Sequence, residues 1–205
     1  MSTAFAARHS MDSPEWYTPT LFVEGAREVM GGIDLDPASH EEANRIVKAA
    51  RYFTAEDGGL AQVWSGRVLL NPPGGLVNPF WLALMLAWRD LNIEQAIWIG
   101  YSLEQLQTLQ QSTALYTPLD FPTCITAKRI AFVENTAKKA ARIEKLLREG
   151  DALNAKPKKR RLAAQIRAGK EPPNSPSHSN YVSYLGPNVK RFVQLFSPFG
   201  KVINV

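Results

Sequence analysis

The residues of this chain best suited to chemistry are Asn71-Pro72-Pro73-Gly74, which close the apolar run Val68-Leu69-Leu70. An exocyclic amine on an aromatic base is a poor nucleophile because its lone pair is delocalised into the ring. An asparagine oxygen and a neighbouring backbone carbonyl that accept both amine hydrogens localise that lone pair and aim it at an electrophile. The prolines hold the acceptors still. Pro72 has a fixed φ, biases Asn71 toward an extended conformation, and contributes a carbonyl with no competing N–H. The same four residues also suit a plain strand-to-turn stop, so the elements around them carry the decision.

Those elements alternate. Thr18-Pro19 has the form of an N-cap followed by proline at the first helical position, and Leu21, Phe22, Ala26, Val29 and Met30 continue an apolar face to Gly31-Gly32. Ile33 to Asp36 reads as a short strand, and Ser39 with Glu42 has capping-box spacing ahead of a helix through Ala43, Ile46, Val47 and Ala50. A polar loop holding Asp57-Gly58-Gly59-Leu60 leads past Trp64 to the strand that ends at Asn71. Asn78-Pro79 repeats the cap-and-proline start for a helix from Phe80 to about Leu91. A strand at Ala96 to Ile99 and a helix opened by Ser102 and Gln105 follow. Strand-like pieces recur at Ile125, at Arg129 to Val133 and at Tyr181 to Leu185, with a helix at Val189 to Phe196 and a last strand at Lys201 to Ile203. The alternation predicts an α/β fold with a largely parallel, doubly wound, Rossmann-like sheet. Ligands bind at the carboxyl ends of the strands in such a sheet, which is where Asp36-Pro37, Asp57 and Asn71-Pro72-Pro73 gather in this reading.

At 205 residues, 45% apolar and 21% charged, the chain has room for one sizeable domain and an appendage. Its single cysteine, Cys124, forms no internal disulfide, and His9, His40 and His178 have no ligand-like spacing, so no metal site is expected. Neither a leader-like start nor a bilayer-length apolar stretch is read in the sequence, and a cytoplasmic protein is expected. The net charge of +5 is unevenly spread: Lys138 to Lys170 holds twelve of the 24 Lys and Arg against Glu144, Glu149 and Asp151, a local +9 that leaves the remainder near −4. A concentrated basic segment on a mildly acidic body is what a polyanion-binding protein carries. This stretch, rich in Ala, Lys and Arg, reads as an inserted helical arm or hairpin; alternatively its charges form a solvated surface.

In order along the chain, Trp16-Tyr17-Thr18-Pro19, Asp34-Leu35-Asp36-Pro37-Ala38-Ser39, Asp57-Gly58-Gly59-Leu60 with Trp64, and Asn71-Pro72-Pro73 resemble the phage-type DNA N-6-adenine methyltransferases. The resemblance runs from about residue 14 to 80 and resumes at Arg129 to Phe132 and Pro176 to Gly200. It implies a flexible N-terminus over 1–13, an S-adenosylmethionine-dependent methyltransferase domain over 14–136 and 175–205, and a basic helical arm over 137–174. It implies that Trp16, Thr18 and Pro19 lie against the cofactor, that Asp34, Asp36 and Pro37 form the first cofactor loop, and that Asp57 accepts from the cofactor's adenine amine. Asn71 and the Pro72 carbonyl would hold the target amine, with Pro73 completing the turn. The implied partner is double-stranded DNA, its phosphates met by Lys138, Lys139, Arg142, Lys156, Lys158, Lys159, Arg160 and Arg161. A monomer or weak dimer in the cytoplasm of a bacterial host, of phage or prophage origin, is the matching expectation.

The chain departs from that family at two places. The residue after Pro73 is usually aromatic and stacks on the extruded base, but here it is Gly74, leaving Phe80, Trp81 or Tyr101 to supply a ring. The loop Asp36-Pro37-Ala38-Ser39 also lacks a glycine-rich turn. Two alternatives stay open: N-4 methylation of cytosine, whose amine suits the same acceptors, and a nucleic-acid-binding protein that keeps the fold without catalysis. Carbon-5 methylation fits poorly, because Cys124 follows Pro122-Thr123 rather than a proline directly.

Overall fold

The structure is a computed structural model that describes residues 16–112, 116–130, 132–134, 136–170 and 180–205. These fall into two compact units, one of residues 18–130 with 180–205 and the other of residues 16–17 with 132–170. The stretches 1–15 and 171–179, with the expected flexible start and the proline- and serine-rich tract, lie outside the described residues.

The strands in chain order are β1 (Trp16–Tyr17), β2 (Leu35–Asp36), β3 (Arg51–Tyr52), β4 (Gly66–Leu70), β5 (Ile93–Gly100), β6 (Thr123–Thr126), β7 (Val133–Glu134), β8 (Tyr181–Leu185) and β9 (Gly200–Ile203). The helices are α1 (Thr20–Met30), α2 (Glu41–Val47), α3 (Val77–Arg89), α4 (Leu103–Ser112), α5 (Thr136–Asp151), α6 (Pro157–Arg167) and α7 (Val189–Phe196). In the first unit seven strands form one sheet in the order β3-β2-β4-β5-β8-β6-β9.

Period-two alternation builds a core on each face of that sheet. Val68, Leu70, Ala96, Trp98 and Leu185 join the apolar faces of α3 and α4 in one buried cluster. There Trp81 meets Trp98 edge-on at 5.0 Å, an arrangement that adds about 1 kcal/mol to the burial of two large rings. The intervening residues turn the other way, and Tyr184 stacks on Phe192 of α7 with ring centres 5.5 Å apart.

The sheet is mixed and mostly parallel: β3, β2, β4, β5 and β6 run the same way, and only β8 and β9 run opposite. β8 enters antiparallel between β5 and β6, and β9 is antiparallel to β6. Alternation of element types does not encode direction. The chain from β6 to β8 leaves the sheet for the helical insertion and returns without a simple crossover, so β8 comes back reversed. From there α7 carries the chain over β6 to β9, which is parallel to β8.

Several element starts also differ from the sequence-based expectation. Pro19, extended at φ −58° and ψ 141°, occupies the cap position of α1, and Thr18 does not cap it. His40, not Ser39, caps α2 by accepting the Ala43 N–H at 3.4 Å. Pro79 is the third residue of α3. Of the described residues in the stretch read as a strand from Arg129 to Val133, only Val133 is in one, and β7 pairs with β1 in a separate two-stranded sheet.

The second unit contains α5 and α6, packed against each other as a helical hairpin. Gly150 makes its close packing possible, since a Cβ there would sit 2.3 Å from that of Ala163. Arg167 pairs with Asp151 at 2.5 Å and Lys159 with Glu149 at 2.9 Å, tying the two helices together.

Candidate active site

The order of the parallel strands selects one edge of the sheet. From β2 the chain passes through α2 to β3 on one side, then returns to place β4 on the other side of β2. Connections leaving β2 and β4 therefore diverge, which makes the carboxyl ends of these two strands the switch point where open α/β sheets bind ligands. Asp36 ends β2 there, and Asn71 follows Leu70, the last residue of β4.

Asn71 is half-buried, and its Nδ2 donates to Oγ1 of Thr18 at 3.3 Å. Thr18, only 6% exposed, is freed for this by not capping α1. With the amine end of the amide held by Thr18, Oδ1 is the end left over as an acceptor. Neither Asn71 Oδ1 nor the Pro72 carbonyl accepts a hydrogen bond from a described residue. Pro72 is buried, and the carbonyl of Pro73 accepts the Leu76 N–H at 2.9 Å, which fixes the turn from the other side. Two oxygen acceptors on this tripeptide thus stand without a hydrogen bond from a described residue.

Asp36 is 7% exposed, and burial pushes its carboxyl up to about 6 against the opposing pull of the Ala38 N–H at 3.2 Å and the Ser39 hydroxyl. That hydroxyl lies near the carboxyl but makes no well-aligned hydrogen bond, so it too is buried without a full partner. Pro37 is buried beneath the next loop. The Pro37 carbonyl lies 2.0 Å from where a Cβ on Gly59 would be, so only glycine fits at 59, and Gly58 takes φ +66° to begin the turn. Trp64 anchors this loop by donating its indole N–H to the Gly59 carbonyl at 2.8 Å. Asp57 is exposed; its Oδ2 accepts the backbone N–H and the hydroxyl of Thr54, both at 2.8 Å, which hold its carboxyl below the usual range. Its Oδ1 remains open to a ligand.

Asp34 is not part of this group. Its oxygens accept from Arg67 Nε and Nη2, each at 2.7 Å, and from the Arg67 N–H at 2.8 Å, at the amino ends of β2 and β4. The guanidinium pulls the Asp34 carboxyl below its ordinary value. This carboxylate ties strand to strand, away from the carboxyl ends. Trp16 pairs opposite Glu134 in the second unit and is not assigned to this group. Among the described residues no group of three His, Cys, Asp or Glu could hold a metal.

A cleft of about 310 Å³ opens just beyond the turn, lined by Gly74, Gly75, Val77, Asn78, Tyr101 and Gln105 among others. Phe80 and Trp81, two of the three rings considered as stacking partners, are instead core residues at 4% and 0% exposed. Gln105 is hidden in the sequence because its spacing from Ser102 suggests a capping box. Ser102 does accept the Glu104 N–H at 3.0 Å, but the Gln105 carboxamide does not return to it. The signal that could have revealed it is a polar residue beside Leu106 and Leu109 on the buried stripe of α4.

Among the basic residues, Lys156, Lys158 and Arg161 are exposed and pair with no described acid. Lys159 and Arg160 are spent within the hairpin, on Glu149 and on the Leu153 carbonyl at 2.8 Å. Lys139 and Arg142 are half-buried and engaged, and the side chain of Lys138 lies outside the described residues.

Fold and site together define an α/β protein in which Asp36 and Asn71 stand at the carboxyl ends of two adjacent parallel strands, at a topological switch point. Comparisons with protein-family models, with curated proteins and with solved structures return no match. Among the described residues no helix is long and apolar enough to cross a membrane.

Proposed function

We propose that this protein is an S-adenosylmethionine-dependent DNA methyltransferase acting on the exocyclic N-6 amine of adenine. The observation that carries the reading is the Thr18–Asn71 hydrogen bond, which leaves Asn71 Oδ1 and the Pro72 carbonyl as paired acceptors at the switch point. The methyltransferase-type fold belongs to the same proposal, supported by the strand order around β2 and β4.

The donor set fits such a cofactor. A buried Asp36 carboxyl, an under-used Ser39 hydroxyl and the spare Asp57 oxygen offer acceptors to an amine, an ammonium and hydroxyls. When bound, S-adenosylmethionine supplies an electrophilic methyl group on a sulfonium sulfur. The chain's own contribution is to the nucleophile: Asn71 Oδ1 and the Pro72 carbonyl accept the two amine hydrogens, so the nitrogen lone pair leaves the ring and forms the new N–C bond. As that bond forms the carbon–sulfur bond breaks, and the methylated nitrogen then loses one proton to water. The step calls for neither a strong base nor a metal. Lys156, Lys158 and Arg161, exposed and without an ion pair to a described residue, would meet DNA phosphates.

The test is incubation with methyl-labelled S-adenosylmethionine and unmodified duplex DNA, followed by nucleoside digestion. Label in N-6-methyldeoxyadenosine is expected; label in N-4-methyldeoxycytidine would move the reading to cytosine. Asn71→Ala should abolish transfer while cofactor binding persists, and an undiminished rate would overturn the role of Asn71. Gly74 in place of a stacking ring favours one further reading, a DNA-binding protein without catalysis. DNA binding with no labelled product on any duplex would establish it.

A further inference from the structure

Gln105 is 6% exposed on α4, and neither its Oε1 nor its Nε2 has a hydrogen-bond partner among the described residues. Buried carboxamides without partners are costly and uncommon in native proteins. Packing does not account for this one, since leucine would fill a similar space without polar atoms. Gln105 instead lines the cleft of about 310 Å³ beside the Asn-Pro-Pro turn, a volume within the range of small-molecule sites.

The opposite side of the cleft points to a flat ligand. A Cβ on Gly74 would meet the Tyr101 ring and hydroxyl at 3.6–3.9 Å, an ordinary approach, and one on Gly75 would meet nothing within 4 Å. Neither glycine is demanded there by a clash or by a positive φ; their effect is to leave the space in front of Tyr101 open. None of the lining residues is charged, which disfavours a phosphate or carboxylate. A carboxamide offers a coplanar acceptor and donor, the complement of an amine beside a ring nitrogen.

We infer that this cleft receives the planar heterocycle whose amine is activated at Asn71, with Tyr101 as its ring wall and Gln105 paired to its polar edge. This role rests on the amine-methylation reading and adds two specificity-determining residues to it. Tyr101, from the end of β5, takes over the stacking that a side chain at position 74 cannot give.

The test uses the full chain and the variants Gln105→Leu, Tyr101→Ala and Tyr101→Phe, measured by thermal melting, by kcat and KM for methyl transfer to duplex DNA, and by equilibrium dialysis with labelled deoxyadenosine. Gln105→Leu should melt at or above the wild-type temperature yet lose about 10- to 100-fold in kcat/KM, because the hydrogen bonds it removes are made to the base. Tyr101→Ala should lose a similar factor and Tyr101→Phe should recover most of it, since stacking needs the ring and not the hydroxyl. If wild type transfers methyl groups and both Gln105→Leu and Tyr101→Ala match it, the cleft is not the base site, while the methyltransferase reading stands. If wild type transfers nothing, deoxyadenosine binding that weakens about tenfold in both variants upholds the cleft and removes the catalytic reading. Binding that is absent, or equal in all variants, overturns the cleft assignment.

Discussion

Asn71 Nδ2 and Thr18 Oγ1 lie 3.3 Å apart although 53 residues separate them in the chain. The hydroxyl at the mouth of α1 thereby sets which end of the Asn71 amide is left as an acceptor. Thr18 is a positioning residue in this arrangement: it acts through Asn71.

Replacing Thr18 with valine removes the hydroxyl at nearly constant volume and leaves the amide free to turn. Methyl transfer should fall about tenfold, equivalent to about 1.4 kcal/mol, while stability falls by about 1 kcal/mol. Thr18→Ser should retain the rate. Initial rates beside thermal melts decide the matter, and a valine variant as fast as the serine variant would remove the positioning role.

Asp36 makes stability depend on pH. Folded, its carboxyl holds a proton up to about pH 6; unfolded, only up to its ordinary 3.8. The native state therefore binds more protons between these values, and stability declines as pH rises through that window, then levels off above it. The full difference is about 3 kcal/mol. Asp36→Asn, which never ionises, should gain on wild type from about pH 4 to about pH 7 in urea titrations. A gap that stays constant over this range would contradict the burial of the charge.

The Asp34–Arg67 pair is a strand clamp about one-third exposed, so its contribution is modest after solvent screening. Asp34→Asn should cost about 1 kcal/mol in chemical denaturation and leave cofactor affinity unchanged. Because pairing lowers this carboxyl, its contribution is present at neutral pH and fades on acidification below the carboxylate range. Loss of cofactor binding at full stability would return Asp34 to the site.

On the hairpin, Lys156, Lys158 and Arg161 are exposed and form no ion pair with a described residue. Changing all three to alanine should weaken DNA binding and reduce the slope of log Kobs against log salt by about 0.9 for each phosphate no longer neutralised. Lys159→Ala, by contrast, should lower the stability of the hairpin first. An unaltered slope in the triple variant would exclude these residues from the DNA backbone.

Much of the candidate site is legible along the chain because its signals are local. Proline and asparagine mark the turn after Leu70, and Gly31 takes the left-handed geometry that ends α1. Elsewhere a distant partner outweighs a local preference. Thr18-Pro19 has the form of a cap, yet its hydroxyl serves Asn71; Asp34 and Asp36 are two residues apart, yet Arg67 claims only the first.

The sequence by itself determined the kinds of elements, their order and the chemical types at the strand ends, since backbone propensity, periodicity and turn chemistry act over a few residues. The tertiary structure alone decided that β8 runs antiparallel between β5 and β6, that Asp36 is buried enough to titrate near 6, and that Gln105 faces a cleft without a partner among the described residues. Direction, desolvation and hydrogen-bond satisfaction depend on groups brought together from far along the chain, and those exist only once the chain has packed.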